Sequence, residues 1–184
     1  MSTRNRNFEG ALFAAILIAM GSIGLSFVGL SPAWAAGACQ LAPDERDPSV
    51  KILKCGDNLT MRAARGTRFR PVYEKGQPLP AAVRLDEGAI LIEFQPGYGL
   101  DQFQILTPLA IAAVRGTRWA VEVTSARDST LVLSGMVQVT NRRFNRYVNL
   151  SDGEGIDITP TDTSMTTKRW AEARVRALLS RFGE

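Results

Sequence analysis

Short apolar stretches, rich in β-branched residues and separated by glycine turns, dominate the middle of the chain. The clearest of them are residues 89–94, 120–123, 130–133 and 136–140. Nothing between Leu59 and Ile158 has the apolar spacing of an ordinary amphipathic helix. This pattern predicts a mainly β domain, a solenoid-like or sandwich-like stack of short strands.

The N-terminal segment has the pattern of a secretory signal. Arg4 and Arg6 precede an apolar run over residues 11–30, and small residues follow at the positions that a signal peptidase recognises. We predict that residues 1–35 form a signal peptide cleaved after Ala35. Because the run is also long enough to cross a bilayer, the alternative is an uncleaved inner-membrane anchor facing the periplasm. Both interpretations export the remainder of the chain.

The C-terminal segment has helical spacing. After a linker predicted over residues 159–165, four apolar residues recur every three or four positions and share one helix face: Ala171, Val175, Leu178 and Phe182. The pattern predicts a basic amphipathic helix over residues 166–184. Its apolar stripe either packs on the β core or contacts a membrane surface or an acidic partner. Packing is favoured, because a single short stripe is what packing requires.

The chain has two cysteines, Cys39 and Cys55. In an exported protein such a pair predicts a disulfide, which here stabilises the fold by about 3 kcal/mol in the chain-entropy model. The bond would tether an N-terminal segment, residues 36–58, to a β domain over residues 59–158. Two thiols without histidine or C-x-x-C spacing fit neither a zinc site nor a redox pair.

A seven-residue pattern occurs twice, about 50 positions apart. Residues 63–69 read Ala-Ala-Arg-Gly-Thr-Arg-Phe, and residues 113–119 read Ala-Val-Arg-Gly-Thr-Arg-Trp. We interpret the copies as parts of two related units. In each copy a glycine turns the chain and a threonine begins the next strand: Gly66 with Thr67, and Gly116 with Thr117.

The same pattern supplies four arginines. If the two units stack, Arg65 would lie beside Arg115, and Arg68 beside Arg118. The resulting ladder would be a candidate binding edge for an acidic group of a protein or polysaccharide. The alternative is that these are solvated turn residues paired with nearby carboxylates.

The chain contains no histidine, which excludes Ser-His and Cys-His nucleophile pairs and every histidine-containing metal site. Paired carboxylates occur at residues 86–87 and 152–157, but both sets lie at glycine turns, where acidic residues are usual. We therefore expect no catalytic residues, no metal and no cofactor. The protein is predicted not to be an enzyme.

The net charge of +4, with a pI near 9.4, could suggest a nucleic-acid partner. The positive charge lies mostly in the C-terminal segment, however: Lys168, Arg169, Arg174, Arg176 and Arg181. The β domain is close to neutral without that segment, so we expect no nucleic-acid partner.

Four blocks in the second half of the chain resemble the FecR domain. They contain a threonine-proline strand, an R-G-T-aromatic turn, a strand-glycine-strand hairpin and a closing strand with a Gly-Glu turn: residues 103–108, 113–121, 131–139 and 148–154. The resemblance covers Leu85 to Ile158. Upstream, residues 55–60 are similar to a segment that precedes the domain in exported members.

The resemblance implies a mostly β periplasmic domain that, in the namesake regulators, binds a receptor signalling module and passes the signal to a sigma factor. Only residues 1–10 precede the apolar run, so a cytoplasmic anti-sigma region and direct anti-sigma activity are not expected. We expect a noncatalytic binding or sensing module of the cell envelope that engages an envelope protein or polysaccharide. The alternative is a structural envelope-assembly protein, held at the membrane by its helix or its N-terminus.

Overall fold

The computed structural model describes residues 39–97 and 101–184, so the signal-peptide and cleavage predictions lie outside it. Thirteen strands are followed by one short helix and a 3₁₀ turn. In chain order they are β1 Cys39–Pro43, β2 Lys51–Cys55, β3 Leu59–Ala63, β4 Arg68–Tyr73, β5 Pro80–Phe94, β6 Phe103–Leu106, β7 Ala110–Val114, β8 Thr117–Val123, β9 Asp128–Ser134, β10 Val137–Asn141, β11 Arg146–Leu150, β12 Glu154–Ile158, β13 Thr167–Arg169, α1 Glu172–Leu179 and the 3₁₀ turn Ser180–Phe182. Over the described ranges, no helix has both the length and the hydropathy to span a membrane.

The strands form two layers that share the long strand β5. Layer A has the strand order β1-β2-β3-β5-β8-β9-β12-β13, and layer B has the order β4-β5-β6-β7-β10-β11. Neighbouring strands are antiparallel except β5 and β6. β5 leaves layer B and enters layer A near Gly88, which has a φ of 97°. We use the Gly88 end and the Phe94 end as names for the two ends of the layers.

The core lies between the layers and takes alternate residues from each. In β5, Val83 and Leu85 contribute from layer B, and Ile90 and Ile92 contribute from layer A. Phe103 lies between Phe94 and Trp119, with ring centroids 5.8 Å and 6.4 Å away. Apolar and polar residues alternate along these strands because one face of each strand is buried against the other layer and the opposite face is not.

The outer face of layer A is covered by the C-terminal segment. Leu178 and Phe182 are buried there against Ala89, Leu91 and Leu131, and Val175 and Leu179 are partly buried beside them. Trp170 completes this second cluster, with its indole against Gly155 of β12. The apolar stripe thus packs on the β domain, the arrangement that the sequence favoured.

Ion pairs surround this second cluster. Arg174 binds Asp157 with N···O distances of 2.6 and 2.9 Å, and Arg181 pairs with Glu122 of β8. The carboxylate of Glu184 lies between Arg62 and Arg118. Much of the positive charge of the C-terminal segment is therefore paired with the domain and does not form a free cationic surface.

The helix is shorter than predicted. The predicted range was 166–184, but residues 167–169 form β13, which pairs with residues 154–156 of β12, and α1 begins only at Glu172. Helical spacing could not detect this, because the pairing of β13 depends on a distant partner strand. Ala171, which the periodicity placed on the buried face, is exposed.

The predicted disulfide is present. Cys39 and Cys55 lie directly opposite each other on β1 and β2, with their Cα atoms 4.1 Å apart. Residues 39–55 form two strands at the edge of layer A, so the bond fixes part of the sheet itself.

The mainly β architecture is confirmed, with all thirteen strands hydrogen-bonded into one sheet that β5 folds into two layers. The four strands predicted around residues 89–94, 120–123, 130–133 and 136–140 all form. The observed strands β5, β8 and β9 extend beyond the predicted ranges, and β10 is shifted by one residue. Between Leu59 and Ile158, the described residues contain no helix.

We predict that Gly88→Ala is far more damaging than Gly76→Ala. Both glycines have positive φ, 97° and 82°, so both substitutions incur backbone strain. Only at Gly88 would the new Cβ meet the backbone, 2.6 Å from Thr67 Cα. The expected additional loss is about 1–3 kcal/mol in the free energy of unfolding, measured by urea denaturation. Equal losses would show that the contact with Thr67 does not constrain the bend.

We also predict a pH-dependent contribution from Asp157. Burial alone would raise the pKa of this carboxyl, but hydrogen bonds from Arg174, Ser129 and Lys168 hold its pKa well below the usual 3.8. Its stabilisation is therefore complete above about pH 4 and is lost as the pH falls further. Asp157→Asn should cost about 1–3 kcal/mol at pH 7, and the difference from the unmodified protein should shrink in acid.

The matched control for Asp157 is Glu172→Gln. Glu172 pairs only with Arg176 on the exposed face of α1, with side-chain exposures of 82% and 70%. The control should change stability by less than about 0.5 kcal/mol at pH 7. A difference between Asp157→Asn and the unmodified protein that does not vary from pH 7 to pH 3 would contradict the argument.

Candidate functional site

The two copies of the arginine-glycine-threonine pattern have the same local geometry. Gly66 and Gly116 both have positive φ, 76° and 72°, as the turn prediction requires. The Thr67 hydroxyl donates to the carbonyl oxygen of Ala89, 3.0 Å away, and accepts from the Ala89 N–H. The Thr117 hydroxyl donates to the Met136 carbonyl oxygen at 3.0 Å. Thr67 therefore braces β5, and Thr117 braces the turn between β9 and β10.

Each braced segment has a glycine at the point of contact. A Cβ on Gly88 would lie 2.6 Å from Thr67 Oγ1, and one on Gly135 would lie 3.0 Å from Thr117 Oγ1. Both turns are followed by a register irregularity at the equivalent position, between residues 68 and 69 and between residues 118 and 119. The Gly-Thr part shared by both copies of the pattern thus builds two corners at which the chain passes between the layers.

The four arginines of the pattern do not form the predicted ladder. The first turn leads from layer A to layer B and lies beside Ala89, at the Gly88 end. The second leads from layer B to layer A, and its Thr117 pairs with Phe94. The stretch of β5 between these two points is about 16 Å long. The predicted stacking, with Arg65 beside Arg115 and Arg68 beside Arg118, is therefore wrong, because the two corners lie at opposite ends of layer A.

The partners of these arginines differ. Arg68 lies 2.6 Å from Glu87, and both side chains are largely exposed. Arg65 is exposed near Asp47, whose pKa is lowered chiefly by hydrogen bonds from Ser49 and to a smaller extent by Arg65. For these two residues the alternative expectation, solvated turn arginines near carboxylates, agrees with the geometry.

Arg118 has a structural position. Its Nε donates to Glu93 at 3.0 Å, and its guanidinium also binds Glu184 of the C-terminal segment. Burial alone would lower the pKa of Arg118, but the hydrogen bonds to Glu184 and Glu93 raise it. Arg118 therefore helps to hold the C-terminal segment on layer A.

Arg115 differs from the other three because it borders an uncovered surface. This surface, which we call the open face, consists of the outward-facing residues of β6, β7, β10 and β11: Gln104, Leu106, Ile111, Ala113, Gln138, Thr140, Tyr147 and Asn149. Each of them is exposed or partly exposed. No element of the described ranges covers this face of layer B, whereas the C-terminal segment covers the opposite face of layer A.

Strand register arranges the open face in two rows. The row nearer the Phe94 end contains three amides and one small residue: Asn149, Gln138, Ala113 and Gln104. The row nearer the Gly88 end contains Tyr147, Thr140, Ile111 and Leu106. Arg115, Met136 and Gln102 join the amide row around a shallow depression. The side chains of the amide row can donate and accept hydrogen bonds without carrying charge.

The turn between β10 and β11 adds a group of residues that the sequence analysis missed. We call residues 142–147, Arg-Arg-Phe-Asn-Arg-Tyr, the basic hairpin. All six residues are exposed, including Tyr147 with 63% of its surface accessible. The turn is closed by Asn145, whose φ is 51°, and by Asn141, which accepts from the N–H groups of residues 143 and 144. A run of three arginines and two aromatics between short strands was a detectable signal.

The carboxylates at turns have structural partners. Asp152 accepts the Gly135 N–H at 2.7 Å, and Glu154 accepts both the N–H and the hydroxyl of Ser151. Those Ser151 hydrogen bonds lower the pKa of Glu154. Asp86 and Glu87 pair with arginines of β4. Within the described residues no group of three or more potential ligands could hold a metal ion.

Asp128 is the most enclosed of these acids. It is 4% exposed at the start of β9, and it accepts the Leu109 N–H at 2.8 Å. Burial raises its pKa, against hydrogen bonds from Thr107 and Leu109 and the charge of Arg142. Asp128 thus ties the turn before β7 to layer A.

The family model described as FecR protein matches residues 48–138. The chain carries a FecR domain. The match begins before β2 and ends in β10, whereas the resemblance seen in the sequence ran from Leu85 to Ile158. It includes both corners but excludes β11 and the C-terminal segment. The open face is thus only partly inside the FecR match, and the loop and strand that follow β10 lie wholly outside it.

Two crystal structures of candidate anti-sigma factors from Parabacteroides distasonis have similar folds. One has a TM-score of 0.59 and 19% identity, with 77% of this chain and 64% of the other covered. The second has a TM-score of 0.53 and 18% identity, with 78% and 61% covered. At such identities the likeness concerns the fold, and this chain spans less than two thirds of either neighbour. No curated protein matches the chain.

We predict that the arginines of the second corner can be distinguished by stability. Arg118→Ala removes the pairs to Glu93 and Glu184 and should lower the free energy of unfolding by about 1 kcal/mol, since the pairs are partly exposed. Arg115→Ala, with no carboxylate partner within 4.0 Å in the described ranges, should change it by less than about 0.5 kcal/mol. Thermal and urea unfolding of both variants would test this, and equal effects would contradict it.

Proposed function

We propose that the protein is an exported, noncatalytic FecR-type binding or sensing module of the cell envelope, and that it engages its partner through the open face. The observation that carries the proposal is the asymmetry between the layers. The outer face of layer A is occupied by the chain's own C-terminal segment, whereas the open face of layer B presents amide, hydroxyl and aromatic side chains to solvent.

Two further observations support a noncatalytic role. The carboxylates at the glycine turns hydrogen-bond to backbone or pair with arginines, so their positions are accounted for by folding. The chain also lacks histidine, the commonest general base near neutral pH. The depressions of the open face are shallow and exposed, which suits the binding of an extended partner more than the exclusion of water from a reaction.

Export is supported by the disulfide, because such bonds persist in oxidising compartments outside the cytoplasm. Within this proposal the signal peptide is cleaved after Ala35 and the mature protein is periplasmic. The partner is an envelope protein or polysaccharide, and nucleic acid is not expected.

Membrane contact through residues 166–184 has weaker support than it had from the sequence. The apolar side chains that would enter a bilayer, Leu178 and Phe182, are buried against layer A. A surface contact would have to release them or use only the exposed arginines of α1. The alternative role as an envelope-assembly protein held by this helix therefore loses its main argument.

We predict that a photo-crosslinking amino acid at position 138 captures an envelope component when the full chain is expressed in its native cells. Gln138 is exposed in the centre of the open face. The matched control is position 177, because Ala177 is exposed on α1 above layer A. An adduct is expected at 138 and not at 177, observed by gel shift after irradiation and assigned by mass spectrometry.

Two outcomes would overturn the proposal. One is an adduct at position 177 but none at 138, which would place the partner on the C-terminal segment. The other is retention of the protein in the cytoplasm on cell fractionation, with Cys39 and Cys55 both labelled by a thiol reagent.

A further inference from the structure

The arginines of the basic hairpin make no ion pair with a carboxylate of the described residues. Eight other arginines lie within 4.0 Å of a carboxylate: Arg62, Arg68, Arg70, Arg118, Arg127, Arg174, Arg176 and Arg181. Over the ranges that the structure describes, no carboxylate lies that close to Arg142, Arg143 or Arg146. The carboxylate of Asp162, in the loop that follows β12, accepts the Thr159 N–H and forms no ion pair with these arginines.

Backbone carbonyl oxygens hold the three guanidinium groups in place. Arg142 donates to the Thr107 oxygen, Arg143 to the Pro160 oxygen and Arg146 to the Thr163 oxygen, at 2.8 to 2.9 Å. Each bond uses one of the five N–H donors of a guanidinium and removes none of its charge. The remaining donors are therefore pre-oriented for anionic oxygens, so less conformational entropy is lost on binding.

Two aromatic rings lie among these charges. The guanidinium of Arg143 is 5.3 Å from the ring centroid of Phe144, and Phe144 is 37% exposed. Tyr147 is 63% exposed and lies opposite Thr140 in the open face. A ring with an apolar face and a polar hydroxyl can contact the carbon face of a sugar and also hydrogen-bond to its hydroxyls.

The basic hairpin is continuous with the amide row. From Tyr147 and Thr140, the surface continues along β10 and β11 to Gln138 and Asn149 and then to Arg115 at the Phe94 end. This path is about 16 Å long, the length of a five-residue strand. Arginines lie at both ends of the path, and uncharged hydrogen-bonding side chains lie between them.

From this arrangement we infer that the hairpin and the open face bind a linear acidic polysaccharide, with its anionic groups on Arg143 and Arg146 and its hydroxyl groups on the amide row. This inference rests on the proposed function, whose binding surface it assigns to a class of ligand. An acidic bilayer fits less well, because a flat surface would touch only the tip, where Phe144 is partly covered by Arg143. An exposed tyrosine ring beside a row of uncharged amides matches the alternating carbon faces and hydroxyl groups of a sugar chain.

The test is fluorescence anisotropy with a labelled octamer of galacturonic acid, and a neutral malto-octaose as the comparison. The intact mature protein should bind the acidic octamer, more weakly as salt is raised, and should not bind the neutral one. Arg143→Gln with Arg146→Gln should weaken binding at least about tenfold. Tyr147→Ser should weaken it without changing the salt dependence.

The matched control is Lys51→Gln with Lys54→Gln, which removes the same charge from exposed positions on β2 of layer A. It should retain affinity within about twofold, since exposed charges beyond a Debye length are screened. If both double variants bind the acidic octamer equally weakly, the loss of affinity reflects net charge alone, and the inference is overturned. Melting temperatures of all variants establish that they fold.

Two other probes separate the competing partners. Preferential binding of phosphatidylglycerol vesicles over the acidic octamer would indicate a membrane surface, and equal, hairpin-dependent binding of poly-glutamate would indicate an acidic protein. Either result overturns the polysaccharide inference. If crosslinking at position 138 persists in the Arg143→Gln, Arg146→Gln variant and the octamer does not bind, the proposed function stands and this inference fails.

Discussion

The two layers of the domain are joined through the bend of β5 at Gly88, and the two-layered fold depends on how that bend is braced. Thr67 makes two hydrogen bonds to Ala89 and packs so close to Gly88 that a Cβ there would collide with it. The bend sends Leu85 and Ile90 of one strand into one core from opposite layers. A straight β5 would carry half of its apolar residues into solvent, because side chains alternate along a strand.

The same device at Gly135 explains why the arginine-glycine-threonine pattern occurs twice. At each corner the glycine supplies the positive φ, and the threonine hydroxyl hydrogen-bonds to backbone, of β5 at the first corner and of the β9–β10 turn at the second. Neither role requires arginine, and the arginines indeed differ in their environments. Arg118 supports the C-terminal segment, Arg68 pairs with Glu87, and Arg115 borders the open face. A shared sequence pattern here means a shared backbone geometry and not a shared binding edge.

The sequence was sufficient for features determined by local pattern. Alternation predicted strands such as residues 89–94, and the cysteine pair predicted the disulfide. Features that depend on distant partners were missed. β13 forms because residues 167–169 pair with β12, and Trp170 packs where Gly155 leaves room for an indole. The open face could not be predicted, because periodicity does not show which layer the C-terminal segment will cover.

The distribution of charge also depends on that segment. From the sequence, the positive charge appeared concentrated in residues 166–184, next to a neutral domain. In the fold, Lys168, Arg174 and Arg181 meet Asp157 and Glu122, which neutralises much of that charge on the outer face of layer A. The acids used there are not available to the arginines of the basic hairpin, which bind backbone carbonyls instead. Charge is therefore largely paired where the C-terminal segment covers layer A, whereas the arginines of the basic hairpin beside the open face keep theirs without an ion pair, where a ligand can reach it.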